Sequence, residues 1–391
     1  MAQKLDLFSG SKFEKLLRKI NLKADTPAQA LLRGLVLGGL AWAPMAIWSV
    51  ASGNIHASEP RLRFFYDFAA YAQFWIGIPM LSIAQVIVGR KISHSMGYLA
   101  ASGLVGEEER EAYGAIIMKS EKLANSGLIE LLLIPLAYIT PLTWFIQEVT
   151  NNKSTWHALI TNGVERVTFA GLWAGIIAVP LWWFLIYRWI WRIFIWYMTL
   201  YKTSRLGLRL RASHPDRMAG LAMISRVQST FGILIFVFGC VIASTVLYKF
   251  LIEKTVVSSI SVWSMVVAYV ILSPAAFMAP MLVFTPHLIR LKNESRYHQG
   301  RLGAVYARQF EKKWLDGLDL SREGPLGSGD IGALADLGSV YDRVTGLKII
   351  PFDMKNIIKL VSAAFGPMIP VVTKYISMNQ TMKKILDLLF G

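Results

Sequence analysis

The chain has 391 residues, 54% of them hydrophobic, and a mean hydropathy of +0.45. That is too apolar for an ordinary soluble domain, yet long enough for a membrane domain with a modest extramembrane part. The formal charge of +16 brings no base-reading motif with it, and the cations gather beside apolar runs. This pattern favours anionic lipid at the cytoplasmic face over nucleic acid as the partner.

Residues 1–30 are polar and basic and lack the short apolar core of a removable signal peptide, so the first span is expected to act as the insertion signal. Within them, Phe13, Leu16, Leu17 and Ile20 recur at spacings of three and four, with Lys12, Lys15, Arg18 and Lys19 on the complementary arc. This predicts an amphipathic helix lying on the inner leaflet, or a charged pre-helix that only sets topology. Six apolar runs follow: Leu31–Ser52, Phe65–Gly89, Gly127–Gln147, Thr168–Trp191, Thr230–Phe250 and Val262–Phe284. Each is close to the roughly 20 residues that cross a hydrocarbon core as a helix. Lys and Arg concentrate in alternate gaps, which predicts six spans with both termini in the cytoplasm. The expected division is a cytoplasmic segment over 1–30, a six-span domain over 31–286 with cytoplasmic loops 90–126 and 192–229, and a cytoplasmic helical region over 287–391. The fold class is therefore all-α, a polytopic helix bundle with a helical cytoplasmic layer, and the host membrane is expected to be the bacterial inner membrane.

Asp67, Glu130 and Lys249 fall within about a turn of span ends, where solvation is expected to reach them. Gly106–Glu111 reads as a solvated helix start rather than a metal site. Pro135 and Pro141 in the third run, and Pro274 and Pro280 in the sixth, should kink their helices and free backbone carbonyls. Cys240, the single cysteine, sits mid-run and reads as packing. In the fourth run the apolar pattern continues past Arg188 and Arg192, which lie four residues apart and so share a helix face. They are expected to snorkel in an aromatic belt or, if several subunits surround an axis, to join Arg205 and Arg209 around the mouth of an anion pathway.

Beyond Pro286 the sequence predicts a basic helix over Leu288–Leu315, a linker over Ser321–Asp330 and a short helix around Ile331–Val344. Ile357–Val372 is apolar but broken by Gly366, Pro367 and Pro370, so it is expected to pack on the inner face or on a neighbouring subunit, with a re-entrant segment as the alternative. A final amphipathic helix is expected at Met382–Phe390.

The sharpest motif is Ser213-His214-Pro215-Asp216-Arg217-Met218-Ala219-Gly220-Leu221. Proline followed by a carboxylate suits the start of a helix; a hinge coupling the loop to its flanking spans, or an ion site using His214 and Asp216, are the other readings. With the proline-rich sixth run and the Tyr306, Phe310, Lys313-Trp314 helix, this His-Pro-Asp-Arg-x-small-Gly-Leu loop resembles a broad group of bacterial multi-pass inner-membrane proteins. The resemblance implies bacterial origin and membrane topology, and no activity.

Phosphate-cradling, zinc-peptidase and nucleophile-elbow signatures are missing from the sequence, so no enzyme activity, cofactor or metal is expected. The six histidines, His56, His94, His157, His214, His287 and His298, show no close ligand spacing. Few ionisable groups lie inside the runs, which favours a passive pore over a proton-coupled pump. The leading expectation is a homo-oligomeric channel that favours anions, with Arg188, Arg192, Arg205 and Arg209 at its vestibule and His214, Pro215, Asp216, Arg217 and Gly220 as a coupling loop. The alternatives are a scaffold or sensor that binds a partner through cytoplasmic helices, a small-solute transporter, or a lipid-acting enzyme.

Overall fold

The computed structural model describes residues 4–150, 154–161, 164–252, 259–316 and 329–378. Most of the expected linker at 321–330 and all of the expected helix at 382–390 lie outside these residues. The protein is an all-α bundle: α1 (Lys12–Lys19), α2 (Pro27–Ala51), α3 (Phe68–Ala101), α4 (Arg110–Ala124), α5 (Gly127–Thr150), α6 (Phe169–Ser204), α7 (Ala222–Leu251), α8 (Ser259–Met278), α9 (Thr285–Trp314), α10 (Gly329–Thr345) and α11 (Met354–Ile376). Between α5 and α6 sits one antiparallel hairpin, β1 (Ala158–Thr161) with β2 (Val164–Val167). The five runs in α2, α3, α6, α7 and α8 belong to helices long and apolar enough to cross a bilayer. The third run, in α5, joins that set when it is taken with α4, which meets it at a 41° bend.

Helix α2 packs closely on α3 because Gly34 and Gly38, one turn apart, bring backbone to backbone. A Cβ at Gly34 would lie 2.3 Å from the Pro79 Cα, and one at Gly38 would lie 2.1 Å from the Phe74 carbonyl oxygen. Such small-residue crossings hold membrane helices by van der Waals packing, since lipid supplies no hydrophobic drive between them. Both α3 and α6 contain a wide π turn, Ala72–Gly77 and Ala174–Ala178, each just before a proline, Pro79 or Pro180. Proline takes away the donor that would close the regular turn, and the backbone widens around the loss. Two carbonyls freed by prolines in the bundle are met by neighbouring side chains: in α6 the Tyr138 hydroxyl donates to Ile176 O at 2.9 Å, four residues before Pro180, and in α8 Tyr197 donates to Ala276 O at 3.3 Å, four before Pro280.

The C-terminal apolar segment departs from the sequence expectation. Met354–Ile376 is itself long and apolar enough to cross a bilayer and runs along the full length of α7. At one end the Asn356 amide donates to Ser225 O and Oγ at 3.4 and 3.2 Å. Midway, a Cβ at Gly239 would lie 3.0 Å from the Pro367 ring, and at the far end Tyr375 meets Phe250 and Trp263 with ring centroids 6.2 and 6.0 Å apart. Leu360, Ala364, Met368 and Val371 form the buried stripe, while Met354, Ile358, Phe365 and Ile369 point outward. The breakers do not end the segment, because Pro367 and Pro370 fall in the opening turns of a short 3-10 stretch and of the helix after it, where a backbone donor is not needed.

Past Pro286, α9 extends 30 residues, about 45 Å, and folds back through α10 as a two-helix arm. Asp330 closes the arm's tip by accepting from Lys313 Nζ at 2.6 Å and Trp314 Nε1 at 3.1 Å. Its base is tied down where Lys292 Nζ donates to Leu347 O at 2.7 Å.

Candidate functional site

The most highly charged interior of the bundle lies beneath its own N-terminus. Residues Leu5, Leu7 and Phe8 are buried, and the Asp6 carboxylate turns the chain by accepting from the Phe8 and Ser9 amides at 2.9 and 3.0 Å. Burial raises the Asp6 pKa, but those bonds, with the Ser9 hydroxyl and Arg192, hold it below the ordinary aspartate value. Ser11 then caps α1, its hydroxyl accepting from the Glu14 amide at 3.3 Å. The helix docks on the bundle through one face. It buries Leu17 and Glu14 while Leu16 and Ile20 stay exposed, and the Phe13 amide donates to Glu130 Oε2 at 3.0 Å.

Glu14, the one carboxylate in an otherwise basic helix, is 4% exposed and accepts from Arg33 Nη1 at 2.7 Å. Arg188 donates from Nε to Glu130 Oε1 at 3.1 Å and from Nη2 to the Ser11 hydroxyl at 3.0 Å, and stands 3.6 Å from Glu14. Burial pushes the Glu14 carboxyl up, but the facing Arg33 and Arg188 outweigh it and keep it ionised. Arg33 sits six residues into α2, about 9 Å along its axis, and two residues past the start of the apolar run at Leu31. A buried pair there gains little net stability over apolar packing, yet breaking it is costly. The arrangement therefore works as a specific latch that fixes where residues 4–19 dock.

Arg192 completes the cluster without an ion pair. Its guanidinium lies 4.5 Å over the Phe8 ring, and its Nη2 is buried with no hydrogen-bond partner. Three guanidiniums thus face two directly paired carboxylates, around a cavity of about 10 Å³ between Arg33, Gln85, Arg188 and Arg192. On the other side of Glu14 and Gln85, an open cleft of about 430 Å³ is bordered by Asp6, Arg18, Asp25, Arg90 and His94.

The four arginines grouped from sequence are split by the structure. Arg188 and Arg192 are 4% and 3% exposed and turn into their own protomer, so they offer no charge to an axis between subunits. The reason is local: Glu14 and Glu130 take up the charge that was expected to snorkel, and Glu130 is itself buried rather than solvated. Arg205 and Arg209 are surface residues, the first beside Tyr201 and the second bonded to Glu108 at 2.7 Å.

The loop over His214–Leu221 is built as a cap and a joint. Asp216 accepts from the amides of Met218, Gly220 and Ala222 at 2.8, 3.1 and 3.1 Å, and His214 Nδ1 lies 2.8 Å away. Burial raises the Asp216 pKa, yet the three amides and His214 bring it below the ordinary value. With its carboxylate so occupied, Asp216 caps α7. Arg217, Ala219 and Gly220 take positive φ, and Gly220, at φ 95° against Leu104, has no room for a side chain. Arg217 O accepts from the Lys348 amide at 2.9 Å, linking this loop to the chain that leads into α11. At the opposite end of the bundle Asp67 caps the first turn of α3 and accepts from Trp156 Nε1 at 3.2 Å, while Trp156 stacks on His157 at 3.5 Å. Burial pushes the His157 imidazole down to about 3, so it stays neutral.

Among the described residues, no group of three His, Cys, Asp or Glu side chains is placed to hold a metal ion. No protein-family model matches the sequence, and no curated protein or solved structure shows significant similarity to the chain.

Proposed function

We propose that this protein passes small anions across a membrane through the interior of a single protomer, with residues 4–19 as a plug that must lift for passage. The observation that carries this reading is the buried arginine cluster, to which the N-terminal helix α1 contributes the Glu14 carboxylate. Ionisable groups buried inside a membrane bundle are costly and tend to mark solute paths. The plug carries the matching charge itself, so lifting it exposes Arg33, Arg188 and Arg192 to the open cleft. By the positive-inside rule the plug lies on the cytoplasmic side, and the traverse of α11 beside α7 then puts residue 378 on the far side. No chemical catalysis is part of the proposal, and no subunit axis is needed for it.

Chloride efflux from proteoliposomes under an imposed voltage tests the reading. Glu14→Gln is expected to release chloride faster than the unaltered protein while sulfate stays trapped; no chloride efflux from either would overturn it. A second reading, a platform for an acidic partner, draws on the basic arm of α9 and α10 tied to the membrane bundle through Lys292.

A further inference from the structure

The cavity among the arginines has a definite size and unmet hydrogen-bond donors. At about 10 Å³ it has the room of roughly one water molecule, too little for sulfate, phosphate or a carboxylate. Its lining combines Leu37, Leu81 and Leu185 with Arg33, Arg188 and Arg192. Glu14 and Glu130 pair with Arg33 and Arg188, while the buried Nη2 of Arg192 and Nε of Arg33 have no hydrogen-bond acceptor and Glu14 Oε1 has no donor. The third carboxylate nearby, Asp6, bonds the Phe8 and Ser9 amides and makes no ion pair with Arg192 among the described residues. A water molecule would accept one or two of these donors but would bring no charge to the Arg192 guanidinium, which meets the carboxylates of Asp6, Glu14 and Glu130 only through space.

We propose that this cavity is a binding site for a single halide-sized anion, of which chloride is the abundant example, held by Arg192 together with the free faces of Arg33 and Arg188. The proposal shares the arginine cluster with the passage reading, but the site holds its ion whether or not the plug ever lifts. Binding and flux are therefore separate readouts: an anion locked in place would satisfy the first and fail the second.

The test is equilibrium binding of radiolabelled chloride to the full-length protein in detergent, after exchange into gluconate. One saturable site per chain is expected, displaced by bromide and not by sulfate. Losing one charged hydrogen bond from Arg192→Gln should weaken chloride binding about tenfold to a hundredfold. Ser82→Val, which fills the cavity without touching the ion pairs, should abolish it and guards against misfolding of the arginine variant. Absence of saturable chloride binding to the unaltered protein would overturn the proposal, and so would equal competition by sulfate or binding that survives undiminished in both variants.

Discussion

Replacing Glu14 by glutamine is the sharpest perturbation of the latch. The carboxylate is 4% exposed and bonds Arg33 at 2.7 Å, with Arg188 at 3.6 Å. Removing one member of a buried ion pair costs about 3–5 kcal/mol, because the partner remains charged in a poor solvent for charge. Glutamine keeps an oxygen able to accept from Arg33, so the lower end, about 3 kcal/mol, is the expected loss. At 1.36 kcal/mol per decade, the undocked population of residues 4–19 rises about 150-fold. Glu108→Gln, at an exposed and solvent-screened pair with Arg209, should change stability little and serves as the control. Limited trypsinolysis reads the difference, since Lys12, Lys15, Arg18 and Lys19 supply cleavage sites in α1 and cleavage follows the open population when reclosing is fast. N-terminal clipping should accelerate by about two orders of magnitude in Glu14→Gln and change little in Glu108→Gln. Equal clipping of Glu14→Gln and the unaltered protein would refute the latch. Because Glu14 titrates below the ordinary glutamate value, its contribution is full above that value and is lost as pH falls through the lower folded-state one. Acid should therefore speed clipping in the unaltered protein and do so less in Glu14→Gln.

Three further outcomes follow from the same structure. In chloride-free detergent, Arg192→Met should leave the unfolding midpoint unchanged or raise it, because the guanidinium has no ion pair to lose. Arg188→Met should lower stability by about 3–5 kcal/mol by stranding Glu130, and similar midpoints for the two would contradict the assigned partners. Gly220→Ala should destabilise by more than about 2 kcal/mol, having to adopt φ 95° against Leu104, whereas Gly300→Ala on the open face of α9 should stabilise by about 0.5–1 kcal/mol; denaturant titration separates the signs. In a Cys240→Ala background, Ser213→Cys and Met378→Cys should react with an impermeant thiol reagent from opposite sides of sealed vesicles. Labelling from one side would show that α11 does not cross.

Much of the bundle was legible because lipid demands it: spans must be helical and about 20 residues long, so hydropathy alone located five of the long helices and the α5 run. The seventh apolar segment was obscured by Gly366, Pro367 and Pro370, which break a periodicity argument but cost little at the start of a turn. The close crossing at Gly34 and Gly38 was not read from the sequence, since their partner, the π turn before Pro79, follows only from how the helices pack. The latch was the least legible part. Glu14 stands out only as the single acid in a basic helix, and Arg33 and Glu130 only as charges just inside apolar runs. Nothing in one sequence says that residues 14, 33, 130 and 188 converge, since that follows from how four helices pack. The role of Asp216 was partly visible, as Pro215 before a carboxylate marks a helix start, but its three amide partners depend on the positive φ values that follow.

The most direct measurement is halide flux with the plug reversibly locked. A Cβ at Gly10 would lie 3.2 Å from the Asn125 Cβ, a little inside the usual disulfide separation of about 3.5–4.5 Å, so a small local shift lets Gly10→Cys with Asn125→Cys pin the segment before α1 to the end of α4. Built on Glu14→Gln without Cys240 and reconstituted in vesicles, the oxidised protein should hold chloride and the reduced protein should release it. Equal chloride flux in the two states, or none in either, would contradict a plug-gated path.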